Sequence, residues 1–235
     1  KGIYDIHCHI VPGVDDGAEN LKMSVRMLQK EYDDGVRGII ATPHFRYDMF
    51  EPSMELVKKQ FLRLRKAARE MYLGCELHSS MDMADCLKRG ERLTMAGSRY
   101  VLAEFRTSDE KSYIRERIQA LIRNGYYPIV AHVERYRSVV KSGIDFIDEL
   151  RDMGAYIQMN ADSIIGDDGF MVKRFCKKVM KEEMLDFVGS DGHDMGKRTP
   201  HLGKAYEKVA KMMGEDYADI IFISNPECIL NNERF

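Results

Sequence analysis

His7 and His9 stand two residues apart in YDIHCHIVPGVDDG (residues 4–17), with Asp15 and Asp16 in the same stretch. Residues two apart on a strand share a face, so both imidazoles point one way and Cys8 points the other. Alone, the pair reads equally well as two strand histidines ahead of a turn. Later segments repeat the pattern. His44 falls in ATPHF, Glu76 in YLGCELH, Glu104 in YVLAEF and His132 in YPIVAHVERY; Asp191 and His193, again two apart, end LDFVGSDGHD. Imidazole and carboxylate without thiolate suit manganese, iron or zinc rather than soft-metal or calcium cages. Five such histidines and up to four carboxylates are too many for one ion and suit two or three with a bridging carboxylate. A carboxylate following four apolar strand residues, as Glu104 does, is costly to bury unless a cation compensates it.

Some architecture must gather these residues. Apolar, β-rich runs are expected as strands at 3–8, 38–42, 72–78, 100–105, 127–133, 155–159 and 186–190. Between them, amphipathic stretches predict helices near 19–34, 53–71, 81–90, 109–124, 142–153, 168–182 and 202–213, with Gly35, Gly125 and Gly154 just past helical runs. Seven β-then-α units imply parallel strands with right-handed crossovers. An open sheet would spread the ligand-type residues along a line; a β/α barrel converges its C-terminal strand ends on one mouth. Six of the seven strand ends carry such a residue, which favours the barrel. The remaining strand, AYIQMNADS, offers amides and Asp162.

Composition excludes other classes. Lys+Arg 36 against Asp+Glu 38 gives a net charge of −2, so no basic balance points to nucleic acid. No apolar run reaches the ~18 residues of a membrane span, and a soluble protein is expected. Five cysteines, an odd number without a CxxC pair, predict a reducing cytoplasm rather than a disulfide framework.

Taken in order, DIHCHIVPGVDDGAEN, ATPHF, GCELH, EF, AHVERY and GSDGHD with a following Arg resemble the PHP (polymerase and histidinol phosphatase) superfamily. Within it they are most similar to the bacterial capsule-operon protein-tyrosine phosphatases. The resemblance covers nearly the whole chain and implies a distorted (β/α)7 barrel, one metallophosphatase domain over 1–235, and a trinuclear, usually manganese, centre at the C-terminal strand ends. It implies one ion on His7, His9, Glu76 and Asp191, a second on Glu76, Glu104 and His132, and a third on Asp16, His44 and His193. Arg135 and Arg198 become phosphate-binding residues, and guanidinium forks suit phosphoryl oxygens. The implied reaction is direct attack of a metal-bridging hydroxide on phosphotyrosine, with Asp16 or His44 assisting proton transfer. The implied substrate is the Tyr-rich tail of a bacterial tyrosine kinase regulating capsular or exopolysaccharide synthesis. Two departures flank the pocket: Arg106 after EF and Val133 in HVERY stand where relatives often carry Pro.

Competing readings are a small-molecule phosphomonoesterase, such as a histidinol-phosphate phosphatase, and an inactive metal-stabilised interaction module. The cysteine-phosphatase pattern C-x5-R occurs at Cys86…Arg92 and Cys228…Arg234, but neither has the Gly- or Ser-rich loop that cradles phosphate. His78 shares a face with Glu76 and could approach the mouth, His201 reads as surface, and Asp15, Asp194 and Glu134 read as neighbours of ligands.

Overall fold

The structure, a computed structural model, describes residues 2–235. Its strands are β1 (Ile3–Cys8), β2 (Val36–Ala41), β3 (His44–Phe45), β4 (Glu70–Leu73), β5 (Glu76–His78), β6 (Tyr100–Glu104), β7 (Tyr127–Val130), β8 (Tyr156–Asn160) and β9 (Phe187–Gly189). Every pairing among them is parallel, in the orders β1-β2-β4 and β3-β5-β6-β7-β8-β9. β3 continues β2, and β5 continues β4. Pro43 interrupts the first pair because it has no N–H to give the ladder, yet its carbonyl still accepts from Glu76 N–H at 3.1 Å. The break at Gly74 lies at the same level: Gly74 N–H donates to the Ala41 carbonyl at 2.8 Å. Thus the expected strand 72–78 is two strands that hold one course through a jog.

The wall closes where β1 meets the chain just past β9. Asp191 N–H donates to the His7 carbonyl and His9 N–H to the Gly192 carbonyl, each at 2.8 Å. A Cβ on Gly189 would lie 2.5 Å from His7 Cβ, so this close approach requires glycine. Counting each interrupted strand once gives the expected seven-stranded distorted barrel with helices outside.

The register of β1 shifts between Asp5 and Cys8, and Asp5 Oδ1 accepts the His7 N–H at 3.1 Å. This irregularity parts residues that strict alternation would keep together: Ile6 joins the inner cluster with Ile40, Tyr100, Leu102, Ile129, Tyr156 and Phe187, whereas Cys8 joins the outer layer beneath the helices. Inner apolar side chains fill the lower barrel and leave the upper end to polar groups. Outside, helix Leu21–Asp33 starts at Asn20, whose side chain accepts from Met23 N–H, and buries Met27, Leu28 and Glu31.

Several sequence expectations change. Strand 127–133 ends at Val130; His132 has φ +31 and a 3₁₀ turn follows at Val133–Arg135. The helix expected at 142–153 is Ile144–Asp152, with a separate helix Arg137–Ser142 before Gly143. Residues 215–231, unassigned from sequence, are helical with a π-helical segment at Ile220–Ser224. Gly35, Gly125 and Gly154 have positive φ, as residues ending helices do.

Candidate metal centre

The strand ends bring all nine expected ligands to one mouth. His7 Nε2 and His9 Nε2 lie 3.3 Å apart, respectively 3.3 and 3.2 Å from Glu76 Oε2 and 3.5 and 3.4 Å from Asp191 Oδ1. A second group adjoins it: His44 Nε2 and His193 Nε2 each lie 3.5 Å from Asp16 Oδ1, and His9 shares in this set. On the other side, His44 Nδ1 lies 2.9 Å from Glu76 Oε2 and 3.8 Å from Glu104 Oε2. His132 Nε2 lies 2.8 Å from Glu76 Oε1 and 4.0 Å from Glu104 Oε1. Both His132, as the resemblance implies, and His44 stand beside Glu76 and Glu104; His44 makes the more compact group with them and lies between that group and Asp16. A two-nitrogen ring between two carboxylates can serve either side.

Do these residues fit metal ions? Three histidines are tied by Nδ1 and aim Nε2 inward. His7 Nδ1 donates to Gln158 Oε1 (3.1 Å), His9 Nδ1 to Asp15 Oδ2 (2.9 Å), and His193 Nδ1 to the Asp191 carbonyl (2.8 Å). Such outer partners fix the tautomer that leaves Nε2 free to ligate. His44 Nδ1, Glu76 Oε2, Glu104 Oε2 and His193 Nε2 are buried with no hydrogen-bond partner. Orphaned atoms and facing nitrogens are costly in an ordinary polar network and expected of ligands around cations, so the set fits.

Electrostatics point the same way. Burial opposes charge on Glu76 and Asp191, yet neighbouring cations win. His7 and His44 hold Glu76 well below the carboxylate range, and His7 and Arg135 do so for Asp191. Burial likewise opposes charge on His9, but Asp15 holds its pKa well above that of free imidazole. Burial and the Glu76 charge push Glu104 up to about 8. Burial and the His9 charge push His193 down to about 4. In the protein alone, protons and guanidinium groups supply positive charge that ions would replace.

Backbone conformation helps aim the ligands. His132 (φ +31) and Asp191 (φ +52) are both in the left-handed region, strained for non-glycine residues and typical of functional sites. In VDDG, Asp15 accepts from the N–H groups of Gly17 and His44, both at 2.9 Å. It ties the loop to the next strand end and leaves Asp16, 45% exposed, at the rim. A Cβ on Gly17 would come within 2.1 Å of the His9 carbonyl.

Arg135 Nη1 and Arg198 Nη2 contact Asp191 Oδ2 at 2.7 and 3.1 Å, and Arg198 Nη1 lies 3.6 Å from Asp16 Oδ2. Both line a cavity of about 240 Å³ with Asp16, His44, Arg46, Met49, Phe50, Glu76, Glu104, His132 and Asp191. A larger groove of about 340 Å³ beside Tyr156, Asp186 and Phe235 holds no such cluster.

Sequence reasoning missed Gln158 and Asn160 on β8. Gln158 Oε1 accepts from both His7 Nδ1 and His132 N–H, its Nε2 donates to Asn160 Oδ1, and Asn160 Nδ2 donates to Asp191 Oδ2. Their alternation in YIQMN was the available signal. It also missed Arg46, Met49 and Phe50, which follow His44 directly. Other expectations resolve plainly. His78 pairs in register with Glu104 but lies outside the ligand groups, and burial and Arg46 lower its pKa to about 4. Glu134 accepts from Asn160 N–H, and His201 contacts Asp162 at 2.9 Å. Asp194 accepts from Gly196 N–H. Cys86 lies in helix Met83–Lys88, and neither it nor Cys228 lines the mouth; burial raises both thiols. No helix among the described residues is long and apolar enough to cross a membrane.

A closed parallel barrel with a His–carboxylate cluster at its C-terminal strand ends defines the broad class, a β/α barrel with a candidate metal site. Residues 3–231 match the family described as capsular polysaccharide synthesis, CpsB/CapC, and the chain belongs to that family. It is 31% identical to the tyrosine-protein phosphatase CpsB of Streptococcus pneumoniae over 240 residues, covering 97% of this chain and 98% of that one. Identity is 33% to CpsB of Streptococcus agalactiae serotype III (strain NEM316), with the same shares covered. A crystal structure from the pair YwqE of Bacillus subtilis and CpsB of S. pneumoniae, described as unique metal-dependent tyrosine phosphatases, superposes with TM-score 0.89. It is 28% identical, covering 99% of this chain and 96% of that one. The lactonase Lmo2620 of Listeria monocytogenes shares the fold, with TM-score 0.64 at 13% identity.

Proposed function

We propose that this chain is a metal-dependent protein-tyrosine phosphatase, a phosphoric monoester hydrolase. Its substrate would be phosphotyrosine on a bacterial tyrosine kinase that regulates capsular or exopolysaccharide synthesis. One observation carries the reading: in a CpsB/CapC chain, a buried His–carboxylate cluster and two arginines open into the same cavity.

His7, His9, Glu76 and Asp191 would hold one ion, Glu76 and Glu104 with His44 or His132 a second, and Asp16 and His193, with His9 or His44, a third. Manganese is the expected metal, with iron or zinc as alternatives of the same ligand preference. When bound, two or three ions supply Lewis acidity and make water nucleophilic near neutral pH. The chain's own groups bind and orient. Arg135 and Arg198 already converge on one Asp191 oxygen, so both guanidinium groups can turn N–H donors towards phosphoryl oxygens entering the cavity. The P–O bond to the tyrosine ring breaks as water oxygen bonds phosphorus, and the phenolate takes up a proton. Phenolate is a fairly good leaving group, so a strong acid is not required. Partial burial works against charge on Asp16, yet His193 and His44 keep its pKa low. It therefore holds negative charge at the rim and suits a ligand better than a proton donor. Asp16→Asn should lose metal from the third group and most activity; full activity would exclude a role for Asp16. Five free cysteines support a reducing cytoplasm.

The test is a phosphatase panel with added Mn, comparing a phosphotyrosine peptide, a phosphoserine peptide and histidinol phosphate. Preference for the phosphotyrosine peptide is expected. Preference for histidinol phosphate would replace this reading with the small-molecule one, and no turnover with metal bound would favour the inactive module.

A further inference from the structure

The cavity that holds the ligand cluster is lined by Arg135, Arg198 and Asp16 and also by Arg46, Met49 and Phe50. These last three belong to one turn. Arg46 and Phe50 pair across it, with Phe50 N–H donating to the Arg46 carbonyl at 2.8 Å, and Asp48 at its tip has φ +62. The turn is anchored twice: Asp48 N–H donates to Glu51 Oε1 at 2.8 Å, and Tyr47 OH donates to Asp82 Oδ2 at 2.9 Å. The Phe50 ring stacks on His44, with centroids 5.2 Å apart and planes 9° apart. Met49 beside it is 57% exposed. Among the described residues Arg46 makes no ion pair, so its charge is free for an anionic ligand.

Apolar side chains beside a charged centre commonly bind the non-reacting part of a ligand. Arginines and ions account for a phosphate; they do not account for a phenylalanine and a methionine held against the same opening. A phosphoester seated on the cluster can send its ester group outward along this turn, which lines the same cavity. An aromatic ring there meets the Met49 thioether and the Phe50 ring, contacts that favour aryl groups through face, edge and sulfur interactions. A short alkyl ester would cover less of both and lack the ring contacts.

We infer that the Arg46–Phe50 turn is an aryl subsite: Met49 and Phe50 bind the aromatic ring of the substrate, and Arg46 faces its anionic surroundings. This rests on the tyrosine-phosphatase reading and supplies the residues that select an aromatic over an aliphatic phosphoester.

The experiment uses the Mn-loaded protein and two non-hydrolysable probes, benzylphosphonate and ethylphosphonate. They share the phosphonate and its CH₂ and differ in the ring. Dissociation constants are measured by titration calorimetry for both, and for inorganic phosphate, on wild type, Met49→Ala and Phe50→Leu, with metal content as a control. Wild type should bind benzylphosphonate more tightly than ethylphosphonate. Each variant should lose about 2- to 12-fold for benzylphosphonate, the range of one aromatic contact, with ethylphosphonate and phosphate unchanged. Should Phe50→Leu lose metal through His44, on which its ring stacks, Met49→Ala with its metal content unchanged decides alone. Equal losses for both phosphonates, or no loss for either, would overturn the subsite. The functional reading fails separately, if wild type does not turn over the phosphotyrosine peptide; the phosphonate ratio needs no turnover.

Discussion

Two pairs of buried acids lie on opposite sides of β1, and their charges go opposite ways. Asp5 and Glu31 sit in the outer layer between β1 and helix Leu21–Asp33, both fully buried. Lys30, which pairs with Asp34, opposes the rise at Glu31 only weakly; burial dominates, and both pKa values rise, Glu31's well above the ordinary range. Asp5 accepts from His7 and Ser190 N–H groups, so it keeps the charge more readily while Glu31 retains a proton. Glu76 and Asp191 inside the mouth are buried to nearly the same degree. Histidines and Arg135 surround them, and their pKa values fall well below the ordinary range. Burial alone does not decide whether a carboxylate is charged; the cations within reach do. One pair sheds charge at Glu31, and the other keeps both charges inside the candidate metal site.

Breaking the charged pair should have the largest effect. Glu76 contacts His7, His9, His44 and His132, so Glu76→Gln removes the carboxylate most shared among the proposed ions. Phosphotyrosine hydrolysis should fall about 10³-fold, the scale of losing a principal electrostatic element. Turnover assays at saturating Mn check this.

Gln158→Leu tests the support behind the ligands. It frees His7 Nδ1 and leaves the strained His132 backbone N–H unpaired. Metal affinity should drop about 10- to 100-fold, measured by competition with a chelator, while the apolar isostere keeps the barrel folded.

Arg135→Lys keeps the positive charge near Asp191 but loses the fork. A loss in kcat/KM of roughly tenfold or more is expected with metal content unchanged, since charge-assisted hydrogen bonds are worth about 1.5–3 kcal/mol. A loss of metal instead would reassign Arg135 to holding Asp191.

The outer pair yields the smallest effect and a definite sign. Glu31's folded pKa lies above its unfolded value, so the folded state binds more protons over that window and stability falls as pH rises through it. Glu31→Gln removes this dependence. It should stabilise the protein more at pH 8 than at pH 5 and leave activity alone, as urea melts at the two pH values would show.

How much of this was legible beforehand follows from what each feature depends on. The strand-end ligands were readable because a parallel barrel turns a one-dimensional pattern, apolar run then polar residue, into a convergent site. The grouping of His44 and His132 about Glu76 was not, because it depends on ring orientation and on the φ +31 turn at His132. The jog at Pro43 and Gly74 was half visible, since Pro marks a lost ladder bond but not the neighbouring strand's matching break. Gln158 and Asn160 looked incidental because amides carry no charge pattern. Only their placement under His7 and Asp191 shows their use. The residue 45–50 turn escaped because its meaning lies in the cavity it helps to line.

The central claim is that the mouth of this barrel holds several ions through shared carboxylates. Its most direct test is the number of metal ions per chain after saturation with Mn and removal of excess, in wild type and Glu76→Gln. The account predicts two or three ions for wild type and at most one for the variant. A single ion in wild type, or a count unchanged by Glu76→Gln, would contradict it.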